Sequence, residues 1–389
     1  MADKAYITPN VLKWARESAH MSVEVAAGKI PVGADRLNDW EEGRDQPTIR
    51  QAEHLAKVYR RPFALFFLPE IPRDFLPLQD FRRSDATELG TASIFIIREI
   101  QQKQSWISET NKDNGEQPLP FVGKYTINDD PETVAKDILK TFQINPAAYN
   151  TDKPIREWIN KAEAAGVFIS RTSFIHSHLI LDSGEMQGFT IADPFAPFVF
   201  INSGDWDAPQ LFTLVHELAH LWVAKSGISN DIDPEINKGK LHPVELFCNE
   251  VTANVLMPNM IISQLDSRVL STNTEVFKTA GRLGVSSLAL LVRAFNLKKI
   301  SRIEYTSLKR DADIEFHKFL EREKEKKNKQ KEKTGGPNPY LLRLNKNSRL
   351  FTQTVLDAFH GGRIAATQAS SLLNTQVNNF HKFDSYLYL

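Results

Sequence analysis

Two histidines four residues apart constrain this chain more than any other feature. His216-Glu217-Leu218-Ala219-His220 sits between the apolar runs Leu211-Phe212-Thr213-Leu214-Val215 and Leu221-Trp222-Val223. The pattern is helical, and residues four apart in a helix stand one above the other on one face. Two imidazoles so placed reach a single metal ion, while Glu217, one step along, reaches water bound to it. With ten His and 25 Glu in 389 residues, composition alone gives about 0.016 such matches per chain. The alternative is a buried helix whose histidines cap its polar edges; the downstream sequence argues against it.

A catalytic zinc takes three protein ligands and keeps one position open. The third ligand must come from another element, and the candidate is the proline-bracketed, helix-forming stretch Pro243-Val-Glu-Leu-Phe-Cys-Asn-Glu-Val-Thr-Ala-Asn-Val-Leu-Met-Pro258. Glu245 and Asn249 share one face of it, and Phe247, Val251 and Val255 form an apolar face. Glu245 is assigned as metal ligand and Asn249 as the hydrogen-bond partner of a ligand. Glu250, about 100° further round the helix than Asn249, is the competing ligand. Cys248 reads as a small buried residue. His242, Asp231, Asp233 and Glu235 read as a solvated loop, with His242 an alternative ligand. His176 and His178 flank a strand and face either a substrate cleft or a polar turn. Glu217 is the general base: it takes the proton of the attacking water and passes it to the leaving amine, with zinc acidifying that water and polarising the scissile carbonyl.

Forty-eight basic residues balance 48 acidic ones, so no global field draws the chain to nucleic acid or membrane. One cysteine excludes an internal disulfide and a Cys-rich zinc module. The start lacks the basic-then-apolar pattern of a secretion signal, and no apolar run nears the roughly 20 residues that span a bilayer. The expectation is a soluble, cytoplasmic protein with no membrane partner.

The pattern along the chain predicts an α+β fold in four segments. Residues 1–70 hold five short helices, with a tight turn between the second and third, in helix-turn-helix order. Their inward anchors are Val11, Leu12, Trp14, Ala15, Leu37, Trp40, Ala52, Leu55, Ala56 and Tyr59. Residues 71–125 are a helical linker region, with a helix over about 86–110 whose core face is Ile94, Ile96, Ile97 and Ile100. Residues 126–308 form the metal domain, with helices over 131–142 and 154–165 and a small, mainly antiparallel sheet from runs near 166–171, 179–182, 188–193 and 197–202. The metal helix starts near Asp207-Ala-Pro209. The run Phe198–Asn202, if an edge strand, can pair with an extended peptide substrate; otherwise it is a core strand. Residues 309–389 are a charged linker and a helical C-terminal region. Lys309–Lys333 carries ten Lys/Arg and seven Asp/Glu, and its end reads as a solvated helix or a flexible linker.

Phe212-Thr-Leu-Val-His-Glu-Leu-Ala-His220, followed by Glu245-Leu-Phe-Cys-Asn249 and Leu256-Met-Pro258, resembles the ImmA/IrrE family of metallopeptidases over roughly residues 155–305. The resemblance implies a zincin-like domain, Zn2+ held by His216, His220 and Glu245, and Glu217 as general base. Its implied substrate is a repressor or antitoxin-like DNA-binding protein. Leu12-Lys-Trp-Ala-Arg-Glu-Ser18, Ala26, Trp40-Glu-Glu-Gly43 and Gln46-Pro-Thr48 look like the Xre/Cro-type helix-turn-helix module. That likeness implies a transcriptional regulator with operator DNA as partner, read by Arg36, Asn38, Arg44 and Arg50, with Ser22 on a phosphate. One departure stands out: residues 1–70 carry ten Lys/Arg and ten Asp/Glu, where DNA readers need a basic surface. The alternative is a non-proteolytic regulator or antitoxin, with a structural or sensory metal domain and a toxin partner. A homodimer is a further candidate assembly.

Overall fold

Helix caps and prolines set the N-terminal elements of the computed structural model, which describes residues 3–75, 77–81, 88–176, 179–229, 242–333 and 338–387. Helix α1 (Pro9–Glu17) opens on proline, where the missing N–H costs nothing. Helix α2 (Val23–Lys29) is capped by Ser22, whose hydroxyl accepts from Val25 N at 3.2 Å. Helix α3 (Ala34–Glu41) follows after a tight turn, and α4 (Ile49–Tyr59) starts in a reciprocal Thr48–Gln51 capping box. The fifth short helix, Phe63–Phe67, is 3-10 rather than α. Val11, Leu12, Ala15, Leu37, Trp40, Ala52, Leu55 and Tyr59 are buried as expected, while Trp14 is only half-buried. Arg16 and Glu41 join α1 to α3 by a buried two-pronged ion pair, at 2.8 and 2.9 Å.

The later helices are α5 (Thr91–Asp113), α6 (Pro131–Phe142), α7 (Pro154–Ala164), α8 (Asp207–Trp222), α9 (Pro243–Leu256), α10 (Asn259–Ser263), α11 (Asn273–Leu283), α12 (Ser287–Asn296) and α13 (Arg302–Lys333). Helices α14 (Pro339–Asn347), α15 (Arg349–His360), α16 (Ala366–Leu373) and α17 (Phe380–Leu387) complete the order. The strands are β1 (Gln79–Asp80), β2 (Phe168–Thr172), β3 (Phe174–His176), β4 (Leu179–Ile180), β5 (Gly188–Ile191), β6 (Phe198–Asn202) and β7 (Gly227–Ser229). By contacts the chain forms two units. The first holds residues 1–77, Thr87–Gln101 and the hairpin Phe174–Leu181; the second holds the rest, including 309–389.

The second unit is built on a mixed sheet ordered β1-β7-β5-β6-β2. Its two central pairings are antiparallel, with Gly188 opposite Ile201 and Ser229, and its two outer pairings are parallel. Strand β6 is not an edge: β2 and β5 flank it and all five of its residues are buried. Its run of four consecutive apolar residues is that of a strand covered on both faces. The peptide-pairing role expected for it is therefore corrected.

Helix α8 is apolar around most of its circumference, which suits a core helix. It packs on β5, β6, α7 and α9. The Trp222 indole donates to Asp137 of α6 at 2.8 Å and stacks on Phe121 with ring centroids 4.7 Å apart. Helix α5 begins at Thr91 rather than near Ala86, which lies outside the described residues; Phe95 rather than Ile94 joins its buried face. Helix α13 continues through Lys333, so the charged run is helical up to that residue. Helices α14 and α15 pack against β2. There the Ser170 hydroxyl donates to Lys346 O at 2.5 Å, Ser348 donates to the buried Glu163 at 2.6 Å, and Lys103 donates to Asn347 at 2.8 Å. No helix among the described residues is long and apolar enough to cross a membrane.

Candidate metal centre

One helical turn of α8 sets His216 over His220, and the N-terminal turn of α9 brings Glu245 to both. The α9 entry is fixed by Pro243 and by the His242 ring, whose Nδ1 accepts from Val244 N at 3.3 Å. Glu245 Oε2 lies 3.0 Å from His216 Nε2, Glu245 Oε1 lies 3.1 Å from His220 Nε2, and the two Nε2 atoms are 3.1 Å apart. Among the described residues this trio is the group of three whose donor atoms, all within 4.8 Å of one another, suit a metal ion.

The residues fit a zinc ion. Four-coordinate zinc with bonds of about 2.0–2.1 Å sets its ligands roughly 3.3 Å apart, close to the spacings found. The Nδ1 atoms of both imidazoles are buried without a hydrogen-bond partner. Whenever either Nε2 lacks its hydrogen, a bare ring nitrogen faces a Glu245 carboxylate oxygen at 3.0 or 3.1 Å, lone pair against lone pair. A cation at the point of convergence resolves that conflict and takes the N, N, O donor set that zinc prefers.

Burial works against charge on His216, but the Glu245 carboxylate outweighs it and lifts this imidazole above its ordinary range. Burial also pushes Glu245 up, yet His216 and His220 prevail and hold its carboxylate far below the usual value. The Asn249 side chain lies beside His216 and favours its charged form. Asn249 Oδ1 nevertheless remains short of hydrogen-bond geometry with any group.

Glu217 is wholly buried, and burial raises its carboxyl above the ordinary range against the pull of His220, His216 and Thr190. The Thr190 hydroxyl on β5 lies 2.7 Å from Glu217 Oε2 and 2.8 Å from the Glu217 carbonyl. Oε1 has no hydrogen-bond partner, so one carboxylate oxygen is held and the other is available to a proton. Gly188, on the same face of β5 as Thr190, leaves Oε1 its room. A Cβ there would fall 2.9 Å from Oε1, from Phe200 O and from Thr213 Cγ2.

Other candidates fall outside the cluster. Glu250 is exposed on α9, and its carbonyl accepts from Asn254. His242 serves as the α9 cap. Cys248 is buried, and burial lifts its thiol well above the ordinary range, which disfavours the thiolate a metal needs. His176 is exposed at the end of β3. His178, Asp231, Asp233 and Glu235 lie outside the described residues. Ser229 (3.5 Å from Glu245 Oε1), Thr190, Gly188 and Phe81 are neighbours that the motif reading did not include.

The five residues singled out for DNA lie in the first unit. Ser22, Arg36, Arg44 and Arg50 are exposed and Asn38 is half-buried. Arg44 pairs with Asp39 at 2.7 Å and with Glu42, and Arg36 lies 4.0 Å from Asp45 and over the Trp40 ring.

No curated protein matches the chain. Residues 162–295, which carry β2, β5, β6, both metal-centre helices, the trio His216, His220 and Glu245, and Glu217, match the family of the IrrE N-terminal-like domain, Peptidase_M78.

Proposed function

We propose that the chain is a zinc-dependent endopeptidase joined to a transcription-regulating helix-turn-helix module, and that it cleaves a repressor or antitoxin-like DNA-binding protein. The observation that carries this reading is the convergence of His216, His220 and Glu245 beside a half-held Glu217 carboxylate, within residues that match a peptidase family. Zinc held by those three residues would polarise a carbonyl and acidify water. Thr190 fixes Glu217 Oε2, so Oε1 takes the proton of the attacking water and later delivers it to the departing amine nitrogen. The hydrophobic shell of α8 and the sheet excludes bulk water and strengthens each of these interactions.

Zinc content and hydrolysis measured together on the wild type and on Glu217→Gln test the reading. Both chains are expected to hold one zinc, with the variant about 10²–10⁴-fold slower on the substrate. Equal rates would reject the role of Glu217. Regulatory output that survives the substitution unchanged would favour the non-proteolytic reading, which the full burial of the metal ligands also supports. Operator DNA as partner rests on the order of α1–α4 and on Arg50, Arg36, Arg44, Asn38 and Ser22. The acids beside Arg36 and Arg44 weaken that surface, so affinity for duplex DNA is expected to be modest and steeply salt-dependent. A toxin partner and a homodimer are companion proposals to be read by co-purification and by light scattering.

A further inference from the structure

His216 and Glu217 are each 0% exposed, His220 1% and Glu245 2%. A peptidase needs an open position where a carbonyl can approach the metal, and here almost none of these four side chains' surface meets solvent. Against His220 lies Phe81. Its ring is buried, stacks on the His220 imidazole with centroids 5.5 Å and planes 15° apart, and meets the His242 ring at 5.1 Å.

Strand β1 delivers that ring. It adds to the edge of β7 in parallel, with Gln79 opposite Gly227 and Asp80 opposite Ile228, and Phe81 N donates to Ile228 O at 3.1 Å. The recess exists because residue 227 is glycine. A Cβ there would fall 2.2 Å from the Phe81 ring and 2.8 Å from Gln79 O. Main-chain pairing on a sheet edge, together with one side chain set in a pocket, is how a sheet binds an extended peptide. The grip is short: β1 is two residues long and both are exposed, and so few backbone bonds open at small cost.

We propose that the β7 edge, with the recess formed by Gly227, His220 and His242, is a binding site for an extended peptide bearing an aromatic side chain. Residues 79–81 occupy it here as an internal ligand and block the metal centre until they are displaced. The consequence for hydrolysis rests on the peptidase reading; the peptide site itself does not.

The test uses the full-length, zinc-loaded chain and a fluorescein-labelled peptide, Pro-Leu-Gln-Asp-Phe, with Pro-Leu-Gln-Asp-Ala as control. Binding is measured in Glu217→Gln chains, so nothing is cut, with residue 81 as Phe, Ala or Leu. The Phe81→Ala chain is expected to bind the Phe peptide at least tenfold more tightly than the chain with Phe81 does, and at least tenfold more tightly than it binds the control, with Phe81→Leu intermediate. With Glu217 intact, Phe81→Ala is expected to degrade denatured casein at least tenfold faster than wild type. Equal affinity across the three chains, or equal affinity for the two peptides, overturns the proposal. If Phe81→Ala loses its fold by circular dichroism, Phe81→Leu decides, and affinity equal to that of the Phe81 chain overturns it. Binding as expected with no hydrolysis by any chain leaves the peptide site standing and rejects the peptidase reading.

Discussion

In the proposed chemistry, Thr190 is the one hydroxyl outside the histidine motif that holds the base. It anchors Glu217 Oε2 at 2.7 Å in a fully buried setting, where a hydrogen bond to a charged group is worth about 1.5–3 kcal/mol. Thr190→Val removes the anchor while keeping shape, so kcat is expected to fall about ten- to hundredfold with zinc content and KM little changed. Thr190→Ser keeps a hydroxyl and is expected to recover most of the rate. A valine variant as fast as wild type would show that Glu217 needs no such hold.

Among elements, the edge strand β2 and its cover carry a second expectation. Burial raises the Glu163 carboxyl above its ordinary range, although Ser348 and the backbone of Leu350 and Arg349 pull it down. A carboxyl with a raised folded value binds more protons folded than unfolded. Stability therefore falls as pH climbs from the unfolded value through the folded one, and the loss persists above it. Glu163→Gln keeps the acceptor for Ser348 and abolishes the charge. Its urea midpoint near neutral pH is expected to match or exceed that of wild type, the advantage vanishing as pH drops into the carboxylate range. A variant weaker at both pH values would contradict this.

The same scale shows what one dimension reveals. Prolines at residues 9, 131, 154 and 243 and caps at Ser22 and Thr48 mark helix starts directly, because helix signals are local. Strand partners are not local. Phe198–Asn202 reads as edge or interior until β2 and β5 are placed on either side of it, and β1 and β7 are too short to show a period. In the candidate site, His216, Glu217 and His220 come from spacing along one helix, and Glu245 from the face it shares with Asn249 on the next, with Glu250 competing until the structure leaves it exposed. Thr190 joins across 27 residues, and Gly188 lies two further back on the same strand. Their trace in the sequence is faint: a Gly-x-Thr pair leaves one strand face small enough for α8 to approach closely.

For the whole molecule, a metal that binds the folded second unit and not its unfolded chain must stabilise that unit by mass action. At free zinc 100-fold above Kd the gain is about 2.7 kcal/mol. Thermal unfolding with zinc and with chelator is expected to show the transition of the unit holding α8 and α9 move up with zinc, while His216→Ala removes the shift. A melting curve indifferent to zinc would deny a metal to this fold.

X-ray absorption at the zinc edge of the loaded chain interrogates the first coordination shell itself. Nitrogen and oxygen ligands only are expected, near 2.0–2.1 Å, with the multiple scattering of two imidazoles. A sulfur shell near 2.3 Å, or a spectrum without imidazole scattering, would contradict that expectation.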